Sequence, residues 1–123
     1  MPDKENPYSG LKRIFHEPNR LAIISALCSA ESGLSFKDLK DECSLTDGNL
    51  SRHLKALDEA GIIIIEKTFV GTKPRTTVLL TDKGRDSFVD YLKALEEVLV
   101  KAADAISSGE EGSISINPRL KPA

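Results

Sequence analysis

The sequence has no tryptophan and few aromatics, Phe15, Phe36, Phe69, Phe88, Tyr8 and Tyr91 among 123 residues. That scarcity argues against a stacking platform for single-stranded nucleic acid. The two cysteines, Cys28 and Cys43, stand far apart and form no CxxC or other zinc spacing, so reduced thiols are expected rather than a disulfide or metal pair. The two histidines, His16 and His53, are equally distant and compose no metal motif. There is no glycine-rich phosphate loop and no nucleophile elbow, which leaves no catalytic residues, no cofactor and no enzyme to expect. No apolar run approaches the roughly 18 residues of a membrane span. The opening MPDKENPYSG lacks an apolar signal core, so the expected location is the cytoplasm, away from membranes.

What is present is an uneven charge distribution. The chain carries 17 Lys and Arg against 19 Asp and Glu, net −2. Residues 1–45 hold 6 cations and 7 anions, residues 46–85 hold 7 and 5, and residues 86–123 hold 4 and 7. The middle is therefore net +2 inside an acidic chain. Phosphate binding answers to the local field, so overall acidity does not exclude nucleic acid.

Hydrophobic spacing divides the chain into short elements. Leu11, Ile14 and Phe15 suggest a short helix ended at Glu17-Pro18. Pro18 then opens a helix with Leu21, Ile24, Leu27 and Cys28 inward. Leu34 suits a short strand contact. Ser35 with Asp38 is a capping-box variant that starts FKDLKDEC, with Phe36, Leu39 and Cys43 inward. After the break at Ser44-Leu45, Thr46 caps the next helix and Gly61 ends it. The runs IIIIEKTFV and RTTVLL, separated by GTKP, read as a hairpin. Thr81 and Asp82 begin a last helix that is expected to end near Ser107. The order gives a mainly α fold with a small β-hairpin, a winged helix-turn-helix with a long C-terminal dimerisation helix. The expected organisation is a flexible arm over 1–9, a winged helix domain over 10–85, the dimerisation helix over 86–107, and a disordered tail over 108–123.

The helix TDGNLSRHLKALDEAGI carries the functional argument. With Leu50 at zero and about 100° per residue, Leu54 and Leu57 fall within about 40° of it and define the buried side. Arg52, Gly48 and Lys55 all come out on the far side, with Asn49 and Ser51 flanking them. Such a helix fits the major groove. Arg52 can pair with guanine, Asn49 with adenine, and Ser51 with a base or a phosphate. Cations on an exposed face are commonly just solvated. Gly48 and Asn49, however, are poor helix formers in the first turn, where stability alone favours Glu or Ala. His53 sits at the edge of the buried side and reads as a packing histidine. On the hairpin tip Thr72, Lys73 and Arg75 suit a minor-groove or phosphate clamp. Lys83 and Arg85 are secondary candidates for the DNA backbone.

These residues carry a family likeness. HEPNRLAIISAL, LSFKDLKDECSLTDGNLSRHLKALDEAGIIIIEK and FVGTKPRTTVLLTDKGR resemble winged helix regulators of the ArsR and MarR type over residues 11–100. The resemblance implies a homodimeric regulator of transcription, in most cases a repressor, bound to double-stranded DNA. It places Asn49, Ser51, Arg52 and Lys55 at recognition positions and Lys73 and Arg75 on the wing. The cysteine-rich metal box of many ArsR-type sensors is absent. No inducer pocket is readable, so no small-molecule effector is implied. In the last helix Phe88, Leu92, Leu95, Leu99, Ala102 and Ile106 form a heptad-like seam suited to a second copy of the chain. Two alternatives remain open: a winged helix used as a protein-interaction module, and a thiol-responsive regulator using Cys28 or Cys43. Both cysteines lie on apolar stripes, which favours inert burial.

Overall fold

The computed structural model describes residues 12–109. They form α1 (Pro18–Cys28), β1 (Leu34–Ser35), α2 (Phe36–Cys43), α3 (Asp47–Glu59), β2 (Ile63–Val70), β3 (Lys73–Leu80) and α4 (Asp82–Gly109). The chain divides into a compact unit over Arg13–Val89 and a second unit whose described part is Lys12 and 90–109. Most of the expected arm and tail lies outside the described residues. No described helix is long and apolar enough to cross a membrane.

The first unit opens on a hydrogen-bonded turn where the sequence suggests a short helix. His16 N–H donates to the Arg13 carbonyl at 3.2 Å, and Leu11 falls outside the described residues. Two causes oppose a helix here. Glu17, next to Pro18, is extended (φ −151°, ψ 128°), as a residue before proline prefers. The Arg20 guanidinium also takes the carbonyls of Ile14 (2.7 Å) and Arg13 (3.3 Å), which a helix would have used itself. Pro18 begins α1 as expected, and the Glu17 carboxylate caps it by accepting from Arg20 N–H at 2.7 Å. The buried face of α1 is Ile23, Ile24, Ala26 and Leu27. Cys28, expected inward, is exposed at the last residue of the helix, where the chain turns away.

Ser35 serves two elements. Its backbone belongs to β1, which pairs antiparallel to β3 (Leu34 with Val78, Ser35 with Thr77). Its hydroxyl accepts from Asp38 N–H at 3.0 Å and starts α2. Ser44, in the left-handed region (φ 55°), stops α2 after Cys43, and Thr46 caps α3 by accepting from Asn49 N–H at 3.2 Å. Lys40 reaches across this turn to Asp47 at 2.9 Å. At the far end of α3, Gly61 (φ 77°) allows Ile62 N–H to reach Leu57 O at 3.0 Å and Gly61 N–H to reach Asp58 O at 3.0 Å. That paired closure satisfies carbonyls a helix end otherwise leaves open.

The hairpin is longer than the sequence suggests. Pairing continues from Ile63 with Leu80 to Val70 with Lys73, so the turn is Gly71-Thr72 and both Lys73 and Pro74 belong to β3. Proline is tolerated there because β1 covers β3 only at Thr77 and Val78. The core of this unit is built from Phe15, Ile23, Ile24, Leu27, Leu39, Leu50, Leu57, Ile63 and Val78, with Phe88 beside Phe15 at a centroid distance of 5.3 Å. Phe88, which spacing groups with the leucine seam, is therefore a core residue of the winged unit. In the second unit Leu92, Leu99 and Ile106 are exposed and Leu95 is half-buried. The helix runs to Gly109, close to the expected end near Ser107.

Thr81 joins the end of α3 to the start of α4. Its hydroxyl accepts from Gly84 N–H at 2.8 Å and lies 2.7 Å and 3.0 Å from the carbonyls of Gly61 and Ile62, which share its one proton. Gly84 is buried, and a Cβ there would run into the Ile62 carbonyl. Alanine is the better helix former by about 1 kcal/mol, yet the clash is with backbone and cannot be relieved by a rotamer. Gly84→Ala is accordingly expected to destabilise the protein by about 2–4 kcal/mol in urea unfolding; unchanged or higher stability would contradict the close approach.

Candidate nucleic-acid interface

The rotation of α3 is set by Leu50, Leu54 and Leu57, which are 0, 3 and 0% exposed. The opposite face carries Ser51, Arg52 and Lys55, all exposed. Gly48 is exposed as well, and a Cβ added there would meet nothing within 4 Å among the described residues outside its own stretch of helix. Packing among the described residues does not require glycine at that position. Asn49 is half-buried, and its Oδ1 accepts from Arg52 Nη2 at 3.1 Å. The amide thus holds the guanidinium over the first turn of the helix.

His53 lies deeper than its wheel position suggests, at 6% exposure, with Nδ1 3.3 Å from Arg20 Nη1. A guanidinium has donors and no acceptor, so Nδ1 is the unprotonated ring nitrogen of this pair. Arg20 therefore ties α1 and the turn before it to α3. Neither residue of the contact is a neighbour of the other in sequence, and periodicity offers no sign of it.

Between α3 and the hairpin runs an open groove of about 330 Å³. Ser51, Lys55 and Asp58 line it from the helix, Lys67 and Thr76 from the strands, with Phe36, Leu54 and Ile65 as apolar lining. Lys67 is not among the candidates that the sequence singles out. The sign available is the alternation of β2, which gives Ile63, Ile65, Lys67 and Phe69 one face. Register also separates the wing cations from this groove. Arg75 pairs with Thr68 and Lys73 with Val70, which belong to the other face of the hairpin. Thr72 is in the turn itself. The structure thus gathers Ser51 and Lys55 with Lys67 and Thr76, and places Lys73 and Arg75 behind them.

The secondary cations have structural partners. Lys83 Nζ donates to Ala60 O at 3.1 Å, at the C-terminal end of α3, where a positive charge complements the helix dipole. Arg85 lies 3.7 Å from Asp82 within the first turns of α4.

Residues 19–99 match the family model described as a winged helix DNA-binding domain. An uncharacterised protein of Methanocaldococcus jannaschii, MJ0432, is 36% identical over 80 residues, which is 65% of this chain and 86% of that one. A solved transcriptional regulator homologue from Pyrococcus horikoshii is 26% identical, with a TM-score of 0.71 over 83% of this chain and 98% of its own. The S. aureus MepR–DNA complex shares the fold at 16% identity, with a TM-score of 0.61 over 89% of this chain and 93% of MepR. The winged helix fold is that of MarR-family transcriptional regulators.

Neither cysteine has the setting of a reactive thiol. Cys28 is exposed and Cys43 half-buried, so the full burial expected from their stripes is not what the structure shows. Partial desolvation nonetheless pushes both thiols above the usual range; Arg85 opposes this at Cys28, and Glu42 adds to it at Cys43. Less thiolate is present at neutral pH as a result. Both are expected to react with a small disulfide reagent at pH 7 more slowly than free cysteine, and faster as pH rises. A rate above that of free cysteine would contradict this.

Proposed function

Because the chain belongs to the family of winged helix DNA-binding domains, we propose that it is a cytoplasmic homodimeric transcriptional repressor that reads double-stranded DNA. α3 enters the major groove and the β2–β3 wing lies on the adjoining minor groove and phosphates. The observation that carries this reading is the face of α3 opposite its leucines, where Ser51, Arg52 and Lys55 are exposed and continue into the groove with Lys67 and Thr76.

Each group has a distinct role. Arg52, steadied by Asn49, offers two parallel donors to a guanine edge. Lys55 and Lys67 flank a groove that a sugar-phosphate strand follows as it passes between helix and wing, with Ser51 and Thr76 as hydroxyl donors. Lys73 and Arg75 meet phosphates from the other face of the wing. Gly48, with open space beside its Cα among the described residues, lets the start of α3 come close to the backbone. The dimer forms along α4 through Leu92, Leu95, Leu99 and Ile106, where Leu92, Leu99 and Ile106 are 44, 44 and 45% exposed at heptad spacing. Two copies set their reading helices about 34 Å apart on a pseudo-palindrome. A dimer seated across that span denies it to other proteins, which supports repression over activation.

The tests separate these roles. A dimer that neutralises about 6 phosphates is expected to lose affinity for duplex DNA with a log–log salt slope near −5; a weak, salt-insensitive interaction would end the DNA reading in favour of a protein-interaction module. Arg52→Ala is expected to cost about 1–3 kcal/mol on the preferred site and relax base preference, while Lys67→Ala weakens all sequences alike and flattens the slope. Gly48→Ala is expected to stabilise the fold by up to about 1 kcal/mol and yet weaken DNA binding; unchanged binding would remove Gly48 from the interface. In sedimentation, Leu99→Glu is expected to give monomers, and a persistent dimer would place the seam elsewhere.

A further inference from the structure

We propose that the wing tip is an apolar wedge: Phe69, backed by Pro74, presses into the minor groove and opens a base step, so that binding bends the duplex. The inference rests on the DNA-binding reading above and adds to it a deformation of the DNA at a position made by the hairpin.

Phe69 is 73% exposed, more than Ile64 or the exposed apolar residues of α4, and its neighbour Val70 is 60% exposed. Neither side chain stabilises the core of its own unit. Their place is specific. Phe69 is paired with Pro74 in the register next to the Val70–Lys73 closing pair, so apolar surface sits immediately behind the turn. Cations stand on both sides of that surface. Lys67 shares the strand face of Phe69 about 7 Å back along β2, whereas Arg75 and Lys73 belong to the opposite face. An apolar edge between two cationic flanks matches the cross-section of a minor groove, which has base edges at its floor and a phosphate wall on each side. A second copy of the chain fits this tip poorly, because it would set the same cations against one another.

Dimensions supply the mechanical argument. Two paired strands lie about 4.8 Å apart before side chains are added. The minor groove of B-form DNA is about 6 Å wide. A two-stranded tip therefore enters only if the groove opens, and an apolar side chain inserted at a base step opens it by partial unstacking and kinks the helix by about 20–90°. Phe69 is on the face of the wing that carries Ile65 and Lys67 of the α3 groove, so the kink lies beside the bases that α3 reads.

The test uses the full chain and a duplex of about 30 base pairs that the protein itself enriches from a random pool, with a donor and an acceptor dye on its two ends. The parent protein is expected to bring the ends together. Phe69→Ala is expected to leave the bound duplex as straight as free DNA and to bind about tenfold more weakly, with the salt slope unchanged because no cation is lost. Phe69→Leu, still a wedge, is expected to keep the bend. Phe69 is exposed, so neither variant threatens the fold. A parent complex that is straight, or Phe69→Ala complexes bent as much as the parent's, would overturn the wedge while leaving DNA binding intact. Failure of the parent to enrich any duplex would remove the DNA reading and the wedge together.

Discussion

Leu50, Leu54 and Leu57 are buried along one side of α3, and that burial fixes how the helix is turned about its axis. Each leucine taken out of water contributes about 1.5–3 kcal/mol. A turn of one residue, about 100°, would bring them toward solvent and drive polar groups into the core. Arg20, anchored on the carbonyls of Ile14 and Arg13 and on His53, adds a polar restraint at the edge of the same buried face. The wing is referred to this helix as well. Gly61 ends α3 directly before β2, and Thr81 returns from β3 to the carbonyls of Gly61 and Ile62. The outward residues of α3 and the strand residues facing them are thereby held in one frame.

That frame resolves the charge distribution. An acidic chain can present a local cationic strip because α3 and β2 set Lys55 and Lys67 on either side of one groove, while Asp58, which also lines that groove, and Glu59 come toward the C-terminal end of the helix. Asp47, at the start of α3, is matched by Lys40 at 2.9 Å rather than left facing an incoming phosphate. A surface ion pair of that kind adds little stability. Its value is electrostatic, since it screens an anion at the end of the helix where the dipole favours negative ligands.

Local chemistry makes much of this legible. Thr46 and Gly61 bound α3, the Ser35–Asp38 box starts α2, and the leucine spacing gives the correct buried side of α3. What sequence does not supply are contacts between distant residues. The segment before Pro18 has helical spacing, but Arg20 takes its carbonyls and leaves a turn. Lys73 and Pro74 look like loop residues until the pairing of β2 with β3 draws them into a strand and onto the face away from the groove. Lys67 escapes notice because its importance comes from α3 lying opposite, and Phe88 falls in with the leucine seam because Phe15, far back in the chain, completes its packing. Alternation and wheels assign faces, but they do not say which element a face meets.

If the rotation of α3 makes one continuous binding surface from helix and wing, DNA must touch both together. Chemical-shift mapping of the isotope-labelled protein, titrated with a duplex it has selected, tests this most directly. The largest changes are expected on Gly48, Ser51, Arg52, Lys55, Lys67 and Phe69, with Ile23, Ile24 and Leu27 of α1 little affected. Changes centred on α1, or none on α3 at saturating DNA, would contradict it.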